Sequence, residues 1–434
     1  LLILKFAMGL YHESCIMNHI RVLIVDDSPF IRKALLRIFE LEPTIEVVGA
    51  ARDGKEAVEK VISLNPDVIT LDIMMPVMDG IETLKIIMEI KPTPVLMLSQ
   101  YTQEGAELTL NALEFGAMDF VDKSRTGLMD FSSLAKEIIS KIKAIAGKKP
   151  LRIADLSTRK AIPLHPPLEK GGWGDLKEGE KDFQTKGIID VVAIGTSTGG
   201  PPALQMLLPK FPKNISFGIL IVQHMPVGFT EPLAKRLDSM CNIHVKEAEE
   251  GDEIQPGIAL IAPSGMHMTV SHPPLNPLPS REGRREKDTL SKGERKDVRH
   301  PSNEETHHRG SSETVKSPLP LRERDRVRGD LKGEYKGVKL DIEPLNAVHR
   351  PSVDVLFKSV AENYGSRSMG VILTGMGSDG AKGMQMIKEQ GGITLAQDEA
   401  TSTIFGMPKV AVEKGVVDKI VPITSMAEEI LKAV

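Results

Sequence analysis

Cysteine is nearly absent from this chain of 434 residues. The two cysteines, Cys15 and Cys241, cannot build a disulfide framework, and such usage fits a reducing cytoplasm. Aromatic side chains are scarce at 4 %, which argues against a base-stacking surface for single-stranded nucleic acid. Charge of one sign is lacking as well: 55 Lys and Arg stand against 59 Asp and Glu, a formal net charge of −4. That balance gives no global basic field for nucleic acid or for an anionic membrane. No apolar run approaches transmembrane length, so direct membrane insertion is not expected.

What the chain does have is a set of short apolar runs that end in chemically useful residues. Val191-Val192-Ala193-Ile194 runs into Gly195-Thr196-Ser197-Thr198-Gly199-Gly200, followed by Pro201 and Pro202. Glycines let the backbone bend sharply, and proline suits the first turn of a helix. A serine hydroxyl and several backbone N–H groups would then lie at a helix N-terminus. This suits either a bound anion, as in a phosphate turn, or the oxyanion of a tetrahedral intermediate. Ile219 to Val222 leads into Gln223-His224-Met225-Pro226, and Val371 to Leu373 leads into Thr374-Gly375-Met376-Gly377-Ser378-Asp379-Gly380. In open parallel sheets, ligands bind outside the carboxyl ends of the strands. Ser197, His224 and Asp379 are therefore expected to meet in one crevice. There His224 would deprotonate Ser197 and Asp379 would fix the imidazole tautomer. The order Ser, His, Asp differs from that of α/β-hydrolases.

The first third of the chain has its own pattern. Val22 to Val25 ends in Asp26-Asp27-Ser28, and Val68 to Leu71 ends in Asp72. Pro94 to Leu98 ends in Ser99, and Phe120-Val121 leads to Asp122-Lys123. Helical periodicity fills the spaces between, at Phe30 to Glu40 and Gly54 to Ser63. This alternation predicts a doubly wound parallel sheet with acids gathered at adjacent strand ends. Such a cluster suits Mg²⁺, which takes a few carboxylates, waters and a phosphoryl oxygen.

Asp26, Asp27, Asp72 within LDIMMPVMDG, Ser99 and Lys123 together resemble a two-component receiver domain over about residues 19 to 140. The resemblance implies that Asp72 accepts a phosphoryl group. Asp26, Asp27, Asp72 and the carbonyl of Met74 would hold Mg²⁺, Lys123 would pair with the phosphoryl oxygens, and Ser99 would hydrogen-bond them. A receiver followed by GTSTGG, QHMP and TGMGSDG resembles the chemotaxis response-regulator protein-glutamate methylesterases, which are also receptor glutamine deamidases. APSGMHM at 262 to 268, HRPSVDVLF at 349 to 357 and QDEATSTIFGMP at 397 to 408 extend the likeness.

That family implies two doubly wound α/β domains, a flavodoxin-like receiver and a Rossmann-like methylesterase domain. It implies Ser197 as nucleophile, His224 as base and Asp379 as orienting acid, with oxyanion donors near Thr198 and Met376. It further implies methyl-accepting chemotaxis proteins as substrate, a chemotaxis histidine kinase as phosphodonor, and no cofactor for the esterase chemistry. A monomer is expected. The unphosphorylated receiver would cover the crevice, and phosphorylation would shift the pair toward an open state.

Two segments and one terminus break the pattern. Residues 141 to 187 begin helical, at Ile138 to Ile145, and become Pro- and Gly-rich around Trp173, the only tryptophan; they read as a linker. Residues 271 to 336 are too polar to fold alone and read as a disordered insertion in the catalytic domain, which spans 188 to 434. The insertion separates Met268-Thr269-Val270 from Val338-Lys339-Leu340, two alternating runs that read as hairpin partners. NPLPSREGRREKD at 276 to 288 echoes SPLPLRERDRVRGD at 317 to 330, as translated genomic repeats would. Residues 1 to 18 read as an over-extended gene start with Met17 the true one, or as a short docking helix.

Overall fold

The computed structural model describes residues 19–100, 102–123, 131–150, 188–271 and 336–434. The first 18 residues, most of the 141–187 linker and nearly all of the insertion lie outside the described residues. No helix among the described residues is long and apolar enough to cross a membrane.

The first sheet is built from β1 (Ile20–Val25), α1 (Pro29–Glu40), β2 (Ile45–Ala51), α2 (Gly54–Leu64), β3 (Val68–Asp72), α3 (Gly80–Ile90), β4 (Val95–Ser99), α4 (Gln103–Glu114), β5 (Asp119–Asp122) and α5 (Phe131–Ile145). Its strands are parallel, in the order β2-β1-β3-β4-β5. β3 and β4 are buried on both faces, which is why they read as unbroken apolar runs. Side-chain caps start the helices: Ser28, Asp53, Asp79 and Thr102 each accept from an N–H of the following turn. The chain leaves β1 in one direction, to β2, and then builds β3, β4 and β5 in the other. The switch lies between β1 and β3, where a ligand crevice is expected.

The second sheet comprises β6 (Val191–Thr196), α6 (Gly200–Leu207), β7 (Gly218–Gln223), α7 (Thr230–Met240), β8 (His244–Glu247) and β9 (Ile258–Ile261). A hairpin follows, of β10 (His267–Ser271) and β11 (Gly337–Asp341). Then come α8 (Val353–Tyr364), β12 (Ser368–Ile372), α9 (Ala381–Glu389), β13 (Ile393–Gln397), α10 (Met407–Glu413), β14 (Lys419–Val421) and α11 (Ile423–Lys432). The sheet order is β14-β13-β12-β6-β7-β9-β8, all parallel. Strand order reverses between β6 and β12, again defining a crevice at their carboxyl ends. The hairpin pairs Met268 with Leu340, Thr269 with Lys339 and Val270 with Val338, as the alternating runs predict.

The predicted fold class is thus observed: two α/β parallel-sheet bodies. The helix that opens the linker region, α5, starts at Phe131 and runs without a break to Ile145, past residue 140.

Candidate active site

The β6 turn is shaped by its glycines. Gly199 has φ +78°, a left-handed conformation that glycine adopts without strain, and α6 starts at Gly200 with Pro201 and Pro202 in its first turn. Ser197, half-buried, precedes this turn, and its N–H donates to the Thr374 carbonyl at 3.0 Å. Gly375 approaches so closely that a Cβ there would stand 2.8 Å from Ser197 Cβ. Thr196 pairs in register with Gln223, so Ser197 and His224 continue adjacent strands side by side. The His224 N–H donates to the Thr196 carbonyl at 3.1 Å. Gln223 ties the two strand ends together, its Nε2 donating to the carbonyls of Ser197 (3.0 Å) and His224 (2.8 Å).

His224 Nε2 lies 2.9 Å from Asp379 Oδ2, both side chains about nine-tenths buried. Nδ1, enclosed and without a hydrogen-bond partner among the described residues, is the ring atom left to take a proton. The ring is therefore turned end for end relative to the usual arrangement, in which Nδ1 faces the acid. The Ser197 hydroxyl makes no hydrogen bond to His224 among the described contacts; it is strand register that brings the two residues together.

Asp379 sits on the N-terminus of α8. Its carboxylate accepts from the Val353 N–H (2.8 Å), the Asp354 N–H (3.0 Å) and the Ser352 hydroxyl (2.9 Å). Burial pushes this carboxyl up. The hydrogen bond and charge of His224, with the Asp354 and Val353 N–H groups, outweigh that and hold it well below the ordinary carboxylate range. The N–H groups of Thr198 and Met376 donate to no protein acceptor among the described residues. Gly375 to Gly380 also carries GxGxxG spacing between β12 and α9. The ionised Asp379 in that turn repels phosphate, so this is a poor dinucleotide site.

At the first sheet's switch, Asp26 and Asp72 are buried and Asp27 is exposed, with one oxygen of each within 4.8 Å of the others. These hard oxygen donors fit Mg²⁺. Lys123 Nζ reaches Asp72 Oδ2 at 2.6 Å and Asp26 Oδ2 at 3.2 Å. Burial pushes the Asp72 carboxyl up to about 6 against the pull of Lys123, and burial likewise raises Asp26. The Met74 N–H points at Asp72 Oδ1, 3.4 Å away. Ser99 does not reach Asp72; it accepts from the Thr109 hydroxyl at 2.8 Å and lies 3.4 Å from the Gly105 carbonyl.

The CheB methylesterase family model matches residues 192–430, and the response regulator receiver domain model matches residues 22–129. The chain belongs to the CheB methylesterase family. It is 38 % identical over 416 residues to the protein-glutamate methylesterase/protein-glutamine glutaminase of Lawsonia intracellularis, covering 95 % of this chain and 99 % of that one. It is 40 % identical over 416 residues to the protein of the same name from Pyrococcus abyssi, covering 96 % and 94 %. The solved Thermotoga maritima CheB methylesterase catalytic domain is 32 % identical, with TM-score 0.42, covering 57 % of this chain and 99 % of that one.

Within this family member the receiver sits against the β6 turn. The Thr198 hydroxyl donates to Asp119 Oδ2 at the start of β5, and Asp119 also pairs with Lys141 at 2.9 Å. Ser140 lies 3.6 Å from Met376 Sδ. Phe120 packs on Phe229 at 4.7 Å between ring centroids, and Arg236 donates to Glu114 (2.9 Å) and Asn111 (2.7 Å).

Sequence reasoning missed three groups here. His349 stacks on His224 with centroids 4.2 Å apart and planes 21° from parallel. Burial, reinforced by the His224 charge, pushes His349 down to about 4, so it is neutral at neutral pH. Ser352 and Gln223 were visible only as parts of motif strings. Thr403 and Ile404 line the β6 and β12 turns, since a Cβ on Gly199 would meet Thr403 Oγ1 at 2.3 Å and Gly375 N–H donates to Ile404 O at 3.0 Å. Gly391 and Gly392 lie at the amino end of β13, against Ser368.

Proposed function

We propose that this protein is a phosphorylation-gated serine hydrolase that removes γ-methyl esters from glutamates of methyl-accepting chemotaxis receptors, releasing methanol, and deamidates receptor glutamines. The observation that carries the reading is the buried His224–Asp379 pair, set one strand away from Ser197 at a switch point. Ser197 Oγ attacks the ester carbonyl while His224 Nδ1 takes its proton. The carbonyl oxygen becomes an oxyanion held by the Thr198 and Met376 N–H groups. Methanol leaves with the proton returned by His224, and water repeats the sequence on the acyl-enzyme. Asp379 stabilises the imidazolium and is not itself protonated.

The receiver, 19–140, is the gate and 188–434 the catalytic domain, joined by 141–187. Asp26, Asp27, Asp72 and the Met74 carbonyl would hold Mg²⁺, which would supply positive charge to the incoming phosphoryl group. Asp72 is the acceptor, Lys123 a point charge on the phosphoryl oxygens, and Ser99 the group that turns from Thr109 toward them. A histidine kinase supplies the phosphoryl group. The gate is supported by the Thr198–Asp119 hydrogen bond and the Ser140–Met376 contact, which put receiver atoms on both oxyanion donors' residues. Methanol release from methylated receptor membranes tests the hydrolase. It should occur with the natural chain and vanish in Ser197→Ala; release that survives the substitution rules this mechanism out.

A further inference from the structure

The orienting acid is held by a helix from elsewhere in the sequence. Ser352 is the N-cap of α8, and its hydroxyl oxygen accepts from the Val355 N–H at 3.4 Å. A cap needs only that acceptor. The hydroxyl proton is free to go elsewhere, and it goes to Asp379 Oδ1 at 2.9 Å. The Ser352 N–H in turn donates to Nδ1 of His267, a fully buried residue on β10, at 3.2 Å. Burial and the nearby Arg350 charge hold His267 below its ordinary pKa, so its ring stays neutral and Nδ1 can accept. A continuous path thus runs from β10 through Ser352 to Asp379 and on to His224.

We infer that Ser352 is a positioning residue of the hydrolytic site, its hydroxyl fixing the Asp379 carboxylate against the His224 ring, with His267 fixing Ser352. The inference rests on the reading of Ser197, His224 and Asp379 given above. The carboxylate takes four hydrogen bonds, two from backbone N–H groups at a helix end, one from His224 and one from Ser352. The backbone donors hold one oxygen each, the Val353 N–H on Oδ2 and the Asp354 N–H on Oδ1. Among the described residues Ser352 is the only side chain other than His224 that grips it, and it adds a second donor on Oδ1 beside the Asp354 N–H. Without that donor the carboxylate carries more negative charge and turns more freely. The other charged or titratable groups around the pair are His349, Asp354, Arg350 and Lys141.

The substitutions separate capping from positioning. Ser352→Ala loses the cap and the donor. Ser352→Gly loses the donor but caps nearly as well as serine, and Ser352→Thr keeps both. Three quantities are measured on the full chain: methanol release from methylated receptor membranes, the thermal unfolding midpoint, and the titration midpoint of His224 by NMR with labelled histidine. Ser352→Gly should unfold within about 2 °C of the natural chain. Its kcat should fall about tenfold at unchanged KM, because the carboxylate that Ser352 holds meets the imidazolium formed during reaction and not the bound ester. Its His224 midpoint should be displaced, upward if the carboxylate stays in place and downward if it swings away. Ser352→Thr should restore the rate to within about threefold. A His224 midpoint that does not move in Ser352→Gly overturns the inference, whatever the rate does. An inactive natural chain would instead count against the hydrolase reading, and the titration would still decide the role of Ser352.

Discussion

The two sheets of this protein meet the same topological situation and fill it with different chemistry. In each, strand order reverses beside the first strand, and residues just past the carboxyl ends face one crevice. Between β1 and β3 the crevice collects like charges, Asp26, Asp27 and Asp72, with Lys123 among them. Burial raises Asp26 and Asp72, so the site favours a bound cation. Between β6 and β12 a single carboxylate is given N–H donors, a hydroxyl and an imidazole, and is held ionised. In the function proposed above, one site would accept a cation and a phosphoryl group and the other would shuttle a proton. Fold alone distinguishes neither; the residues at the strand ends do.

The largest effect expected from breaking this contrast is at Ser197. Ser197→Ala should lower methanol release by about a thousandfold or more, since a triad acts as a unit. Mg²⁺ binding to the receiver, followed by fluorescence or calorimetry, should not change.

A second difference lies in pH response. Asp72, at about 6 in the folded protein, sits above the value near 4 of an unfolded carboxyl. The folded state therefore holds an extra proton between those pH values, and metal-free stability from this group falls as pH rises through that window. Mg²⁺ requires the ionised form, so its affinity should drop about tenfold per pH unit below 6. Calorimetric titrations from pH 5 to 8 check this, and a flat affinity would contradict the buried setting of Asp72. Asp379 gives the opposite sign. Its depressed pKa contributes stability that is fully present above the ordinary carboxylate range and is lost as pH falls below it.

A smaller effect is expected where the two bodies touch. Asp119→Ala removes the acceptor of the Thr198 hydroxyl and the partner of Lys141. The unphosphorylated rate of methanol release should rise about three- to fivefold, the effect of weakening one hydrogen bond and one largely buried ion pair. A rate that stays at or below that of the natural chain would mean that these contacts do not restrain the β6 turn. The smallest effect concerns the insertion. The β10–β11 ladder runs from His267–Asp341 to Ser271–Gly337, outside residues 272 to 335. Deleting residues 272 to 335 and closing the hairpin with a short turn should leave the unfolding midpoint within about 3 °C, because loop-closure entropy grows only logarithmically. Loss of soluble protein would contradict that.

Much of this was legible in the sequence, and the reason is local. Buried parallel strands are apolar on both faces, so β1, β3, β4, β6, β7 and β12 stand out as runs, and their last residues mark the sites. The edge strand β2 did not stand out, because Ile45–Ala51 is only partly buried and carries Glu46 and Gly49. Nor did the grip on Asp379. Ser352 shows in the sequence only as part of HRPSVDVLF, and its hydroxyl proton is directed by a contact between distant segments, for which sequence spacing has no period. The Thr198–Asp119 hydrogen bond and the His224–His349 stack are hidden for the same reason. Ser99 was recognised by type and position, but its present partner, Thr109, could not be inferred.

In the proposed gate the carboxylate site controls the serine site through the contacts at β5 and α5. The most direct test is methanol release from methylated receptor membranes by the natural chain and by Asp72→Asn, each with and without a small phosphodonor and Mg²⁺. Release by the natural chain should rise with phosphodonor while that of Asp72→Asn does not. A natural chain whose release is the same with and without phosphodonor would contradict it.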